Sequence, residues 1–343
     1  MFQSAKVKEK AGQWKEASEI LRKILKFDPT DAHTHLGLAR LEAKREQSHN
    51  AANNNTARAA FEAGTHHCPE SVHIWQAWAR YEESCSHQDR ARELFLTALE
   101  VEEGNPYVCH SYGLMEKKLG NPKLARDLWE QGLRKKPTAA LVCSLAELFI
   151  EQKLLQEARD LYLRYLTQVE TEREMTEIYL ASAWLEEKYF RSFERAEELI
   201  ELALVQSPSS GRAQIALARL EGRTSRRENK SGKPATRKRL SEAVRSIENG
   251  ESESTDGRLF NALAHVEVKS RKFDEARKIL EKGIERYPDD VSVSRLKLSR
   301  SLFVYPLLCS HTCSHIHQLT LASQRRRPSG RAHGQHEWRE NAV

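Results

Sequence analysis

The feature that most restricts how this chain can fold is an alanine that returns, with similar neighbours, about every 34 residues. Ala57-Arg58, Ala91-Arg92, Ala125-Arg126 and Ala158-Arg159 are spaced by 34, 34 and 33. Ala17-Ser18 precedes them; Ala196-Glu197, Ala243-Val244 and Ala276-Arg277 follow. The alanines at 17, 57, 125, 196 and 276 have a proline twelve positions on: Pro29, Pro69, Pro137, Pro208 and Pro288. A fixed period of this length means stacked copies of one supersecondary unit, because such a unit cannot bury its apolar stripe alone.

Each period holds two amphipathic helices. Ala125, Leu128, Trp129, Gly132 and Leu133 fall at i, i+3, i+4, i+7 and i+8, one stripe of a helix. Pro137 marks where that helix has stopped. The other helix follows the proline: after Pro69, Trp75, Trp78, Ala79 and Glu82 share one face. Its small-x-x-Glu ending recurs at Ala39/Glu42, Gly113/Glu116, Ala183/Glu186, Ala218/Glu221 and Ala264/Glu267. Gly12 and Gly120 lie five residues before a repeat alanine, where a left-handed residue ends a helix. The expected fold is all-α: a right-handed α-solenoid of stacked helix-turn-helix units over residues 1 to about 300.

This pattern resembles the half-a-tetratricopeptide (HAT) repeat, a relative of the tetratricopeptide repeat (TPR). Trp75, Trp78, Ala79 and Glu82 carry the likeness in the first helix, and Ala57, Arg58, Phe61, Glu62, Gly64 and Pro69 in the second. The run from Tyr112 through Gly113, Glu116, Ala125, Arg126 and Trp129 to Pro137 looks most like the plastid messenger-maturation members. The suppressor-of-forked and crooked-neck types come next. The resemblance implies a non-enzymatic RNA-processing factor that protects or remodels a transcript, in the plastid or, as second choice, the nucleus. Departures are visible too. His35, Cys109, Cys143 and Gln214 stand where Trp75 stands in its unit, and Phe149 replaces a closing glutamate.

Charge tempers an RNA role. The chain carries a net +6, but residues 223–250 alone hold +6 and residues 301–343 hold +3, leaving −3 for the rest. RNA affinity leans on neutralised phosphates, so a slightly acidic repeat body is no obvious electrostatic trap. No apolar run is long enough to cross a membrane. The six cysteines show no disulfide framework, as suits a reducing compartment. No phosphate-binding glycine loop, nucleophile elbow or zinc-protease motif is present, so the sequence predicts neither catalysis nor a cofactor.

Two segments break the period. Residues 223–239 are basic and rich in Gly and Ser, and are expected to form a disordered insertion between repeats 1–222 and 240–300. Residues 301–343 lose the helical period and are expected to be a disordered tail or read-through in the gene. Cys309, His311, Cys313, His315 and His317 there lack the spacer of a zinc finger, so no metal site is assigned. Ser4 to Gly12 reads as the end of a first helix without its beginning.

The recurring glutamates read as architecture, each pairing with the arginine after the repeat alanine: Glu82 with Arg92, Glu116 with Arg126. Trp75, Trp78, Trp14, Trp129 and Trp184 read as core on the repeat stripes. For RNA, the candidate phosphate contacts are Arg40, Lys44, Arg45, Arg80, Lys117 and Lys118, at or near the ends of first helices. The alternative is a protein-protein scaffold whose groove receives a helix or an extended peptide. Single-stranded RNA, proteins of an RNA-processing complex, and a second copy of the chain are the partners considered.

Overall fold

The computed structural model describes residues 1–49, 55–227, 232–250 and 257–287. Among them are sixteen α-helices and no strand. They alternate as first and second helices of hairpins: α1 (Phe2–Lys10) with α2 (Trp14–Phe27), α3 (Ala32–His49) with α4 (Thr56–His67), α5 (Val72–Ser84) with α6 (Gln88–Val101), and α7 (Pro106–Lys118) with α8 (Pro122–Lys135). Next come α9 (Ala139–Glu151) with α10 (Leu155–Leu166), then α11 (Glu172–Leu185), prolonged by a π-helical turn at Glu186–Phe190, with α12 (Phe193–Gln206). After α13 (Gly211–Arg227) and α14 (Gly232–Glu248), α15 (Arg258–Lys269) pairs with α16 (Phe273–Arg286). The chain divides into two compact units, Met1–Leu220 and Glu221–Val343.

Local chemistry fixes the helix ends. Asn105 accepts from the amides of Tyr107 and Val108 and is followed by Pro106 in the first turn of α7. Thr138 and Thr171 cap α9 and α11 in the same way. In six hairpins the turn places the residue five before the repeat alanine at positive φ. That residue is glycine at Gly12 (77°) and Gly120 (83°), but Ser86, Lys153, Arg191 and Arg271 adopt φ of 58–64° at the matching points. A side chain there costs about 1–2 kcal/mol. Lys153→Gly is therefore expected to raise stability by about 1 kcal/mol, read as a higher urea midpoint at unchanged m value.

The repeat alanines explain themselves by packing. Ala17, Ala57, Ala91, Ala125, Ala158, Ala196 and Ala276 are completely buried where two helices approach most closely. Two turns further on, a glycine plays the same part in several hairpins. A Cβ on Gly132 would sit 2.9 Å from Cys109, and one on Gly283 2.9 Å from Phe260. Cys109 and His35 thus occupy the place of Trp75 because the partner helix passes close by. Ala243 is the exception, only half-buried; Leu240, Val244 and Ile247 form the buried stripe of α14 instead.

The glutamate–arginine pairing differs from the expected one. Glu82 receives both guanidinium donors of Arg58 at 2.8 Å, not Arg92. Glu116 receives Arg92 (Nε 2.7 Å) and Asn121; Glu186 receives Arg159 (Nε 2.7 Å). The arginine after the repeat alanine therefore reaches forward to the next hairpin's first helix, 24 residues on in the first two cases. It joins neighbouring hairpins instead of bracing its own. Arg126 meets Phe149 where the next hairpin's glutamate would stand, 5.3 Å from the ring centroid, and pairs instead with Glu130 of its own helix at 2.7 Å. Arg237 bonds Glu267, which places Thr236-Arg237, not Ala243-Val244, at the repeat register of α14.

Segment 223–239 also differs from expectation. Residues 223–227 continue α13 and 232–239 belong to α14, while 228–231 lie outside the described residues. The tail 301–343, with its Cys/His run, and Pro288 lie outside them as well.

Candidate functional site

The first helices of the unit Met1–Leu220 crowd together on one side. α3 packs on α5, α5 on α7, α7 on α9 and α9 on α11, whereas second helices pack on their own partner and on the next first helix. The first helices are therefore the inner wall of this stack. Aligning them on their small residue (Ala39, Ala79, Gly113, Ala146, Ala183, Ala218) resolves that wall into three rows.

Two positions before the small residue stand Gly37, Ala77, Ser111, Ser144, Ala181 and Ala216, the floor. Every one is small, which lets consecutive first helices touch. Three positions before stand Leu36, Gln76, His110, Cys143, Leu180 and Ile215, all half-buried. One position after stand Arg40, Arg80, Leu114, Glu147, Trp184 and Arg219, exposed except for half-buried Leu114. The floor is held constant; the two flanking rows change character along the stack.

At the α3–α5 end the wall is cationic. Arg40, Lys44 and Arg80 line a cleft of about 300 Å³ together with Gln76 and Tyr81. Burial, and then the neighbouring charge of Arg80, hold the Arg40 guanidinium below its usual pKa. Neither arginine meets a carboxylate among the described residues. The nearby Glu46 is already occupied: it accepts from Tyr81 (2.6 Å), from Thr56 (2.7 Å) and from the Ala57 amide that opens α4. Along α7 the wall is polar and cross-linked. Gln76 donates to the Tyr107 carbonyl and to Ser111, each at 2.8 Å, and His110 bonds Ser144 at 3.0 Å. Burial, then Arg80, pushes His110 below the ordinary histidine value, which favours the neutral ring.

Beyond α9 the wall becomes apolar. Ala140, Cys143, Leu180, Trp184, Ile215 and Ala216 surround a cleft of about 550 Å³, with Glu147 and Arg219 at its margin and Glu177 paired to Arg212 at 3.2 Å. Burial, then Glu177 and Glu147, pushes the Cys143 thiol up to about 12, so it serves as neutral surface and not as a nucleophile. Trp184 is 37% exposed and follows the small residue instead of preceding it, which takes it off the core stripe expected of it. Lys188 from the π-helical turn lies 4.3 Å from its ring centroid. Trp78 and Trp129 are buried as expected, and Trp75 is half-buried with its indole donating to the Pro69 carbonyl.

The six candidate phosphate contacts divide. Arg40 and Arg80 share the cationic cleft. Lys44 bonds Glu9, Arg45 bonds Glu42, Lys117 bonds Glu151 and Lys118 bonds Glu83, at 2.8–3.0 Å, so these four tie adjacent first helices or turns together. The flanking rows were missed in the sequence, although the residue following each small-x-x-Glu alanine or glycine announces them.

Tetratricopeptide-repeat models match residues 116–172 and residues 1–31. The chain has a TPR-like helical-repeat fold, with tetratricopeptide repeats matched over these two segments. The TPR-like fold is shared with yeast Tom70, at a TM-score of 0.55 and 15% identity over 86% of this chain and 61% of that one. Pseudomonas aeruginosa PilF is a further structural neighbour, with a TM-score of 0.42 and 13% identity over 67% of this chain and 98% of that one. No curated protein sequence matches the chain. Among the described residues of this TPR-like chain, no group of side chains could hold a metal, and no helix is long and apolar enough to cross a membrane.

Proposed function

We propose that the protein is a non-enzymatic scaffold whose inner wall of first helices, between α3 and α13, receives a segment of a partner protein. One observation carries this reading: the wall is mixed and ends in an apolar cleft around Trp184, while four of the six lysines and arginines that RNA would need are engaged with carboxylates. A phosphate backbone offers nothing to Leu180, Trp184 and Ile215; apolar side chains of a peptide do. The narrower reading, a HAT-type RNA-processing factor of plastid or nucleus that holds single-stranded RNA, rests on the family resemblance around Trp75–Glu82 and Tyr112–Trp129.

A photo-crosslinking residue at half-buried Leu114, midway along this otherwise exposed row, distinguishes the two. Protein adducts that persist after ribonuclease treatment are the expected result. Adducts made only of RNA, or lost with ribonuclease, would replace the scaffold with an RNA reader. Self-association appears in the same experiment as adducts to a second copy of the chain.

A further inference from the structure

The wall is graded, and the gradient has a direction. Its exposed row begins with two arginines, Arg40 and Arg80, and reaches the apolar cleft at Trp184. Arg40 and Arg80 feel each other's charge, lie in one cleft with Lys44, and are unmatched by any carboxylate among the described residues. Like charges placed side by side on a folded surface are relieved by an anionic ligand. Leu180, Trp184 and Ile215 present the opposite chemistry, and Ala140, Ala181 and Ala216 leave room between them for one large apolar side chain.

Resting on the scaffold reading above, we infer that the partner segment is an extended peptide with two chemically distinct anchors, an acidic pair at Arg40/Arg80 and an apolar residue in the Trp184 cleft. The geometry sets the interval between them. From α5 to α11 there are three steps between adjacent first helices, each about 8–10 Å, so roughly 27 Å in all. An extended chain advances about 3.3 Å per residue, so the anchors lie about eight residues apart. Between them the wall at Gln76, Ser111, His110 and Ser144 is polar, with these side chains bonded to one another. Arg40 and Arg80 are arginines to good purpose, since a planar fork grips a carboxylate in two places.

The test is fluorescence anisotropy of the full chain with labelled 14-residue peptides. One carries Asp-Glu and, eight positions on, a Phe, in a Ser/Gln background, synthesised in both chain directions. Controls place the Phe four positions on, replace Asp-Glu with Asn-Gln, or replace it with Lys-Lys. Expected is binding of the eight-spaced acidic peptide in one direction, at least tenfold tighter than either neutral or four-spaced controls. R40E/R80E should reverse the preference to the Lys-Lys peptide, and Trp184→Ser should abolish the advantage of the Phe. Both sites are exposed, so circular dichroism should show folded variants. Absence of binding, insensitivity to R40E/R80E, or equal binding at both spacings would overturn the two-anchor inference. So would tighter binding of a single-stranded oligoribonucleotide that R40E/R80E weakens. Protein crosslinks at Leu114 together with such a failure would retain the scaffold and remove only this ligand.

Discussion

Gly113→Ala is expected to destabilise the protein by about 2 kcal/mol, against the ordinary preference of helices for alanine over glycine. A Cβ at 113 would lie 2.2 Å from Trp129 Nε1, 2.7 Å from its Cδ1 and 2.8 Å from its Cε2. Trp129 cannot step aside: it is completely buried, and its indole N–H donates to the His110 carbonyl at 3.3 Å. Forcing a methyl into such a core costs about 1–3 kcal/mol and at times more, which overcomes the gain of about 1 kcal/mol in helix propensity. Gly37→Ala supplies the contrast. There a Cβ meets only Phe2 ring atoms at 3.4–3.5 Å, and the floor position already tolerates Ala77, Ala181 and Ala216. That variant should be neutral or slightly stabilised. Chemical denaturation of both, with Gly113→Ala repeated in a Trp129→Leu background, checks the origin. If the two effects add without coupling, the close approach of Gly113 and Trp129 is not what glycine serves.

Arg92→Met should cost about 2–3 kcal/mol at pH 7, and the loss should shrink on acidification. Glu116 is completely buried, and Arg92 supplies its charge partner. Burial alone would raise the Glu116 carboxyl, but hydrogen bonds from Arg92 and Asn121 outweigh it and hold the pKa below the ordinary 4.5. A depressed folded pKa means stability that is present above 4.5 and lost as pH falls through the folded value. In Arg92→Met only Asn121 still donates, burial prevails, and the folded pKa rises above the unfolded one. The carboxylate then destabilises at neutral pH and is relieved as it protonates. Stability should therefore fall from pH 7 to pH 3 less steeply in the variant than in the wild type. Parallel pH profiles would mean that Arg92 supports the interface through packing only.

The period, the two helices per unit and the turn positions were legible because they follow from local rules. A small residue every 34 positions, apolar stripes at helical spacing and prolines after second helices each restrict the backbone by themselves. The clamp was half legible. That Glu82 and Glu116 pair with repeat arginines could be read, but which arginine could not. Spacing along the chain favoured Arg92 and Arg126; only the stacking of consecutive hairpins brings Arg58 to Glu82 and Arg92 to Glu116. The register of α14 failed for a related reason. Ala243 fits the period by type, while Arg237 fits it by contact with Glu267.

The repeat and the all-helical fold could be read from the residues alone, because amphipathic period, glycine turns and buried alanines are properties of single helices and hairpins. What the inner wall offers emerges with the packing of one hairpin on the next. Arg40 and Arg80 lie forty residues apart in the chain, and Cys143, Leu180, Trp184 and Ile215 come from three hairpins. Each is unremarkable in its own helix. They become a graded surface because the small residues of the floor let the first helices pack side by side, and that proximity is a property of the stack.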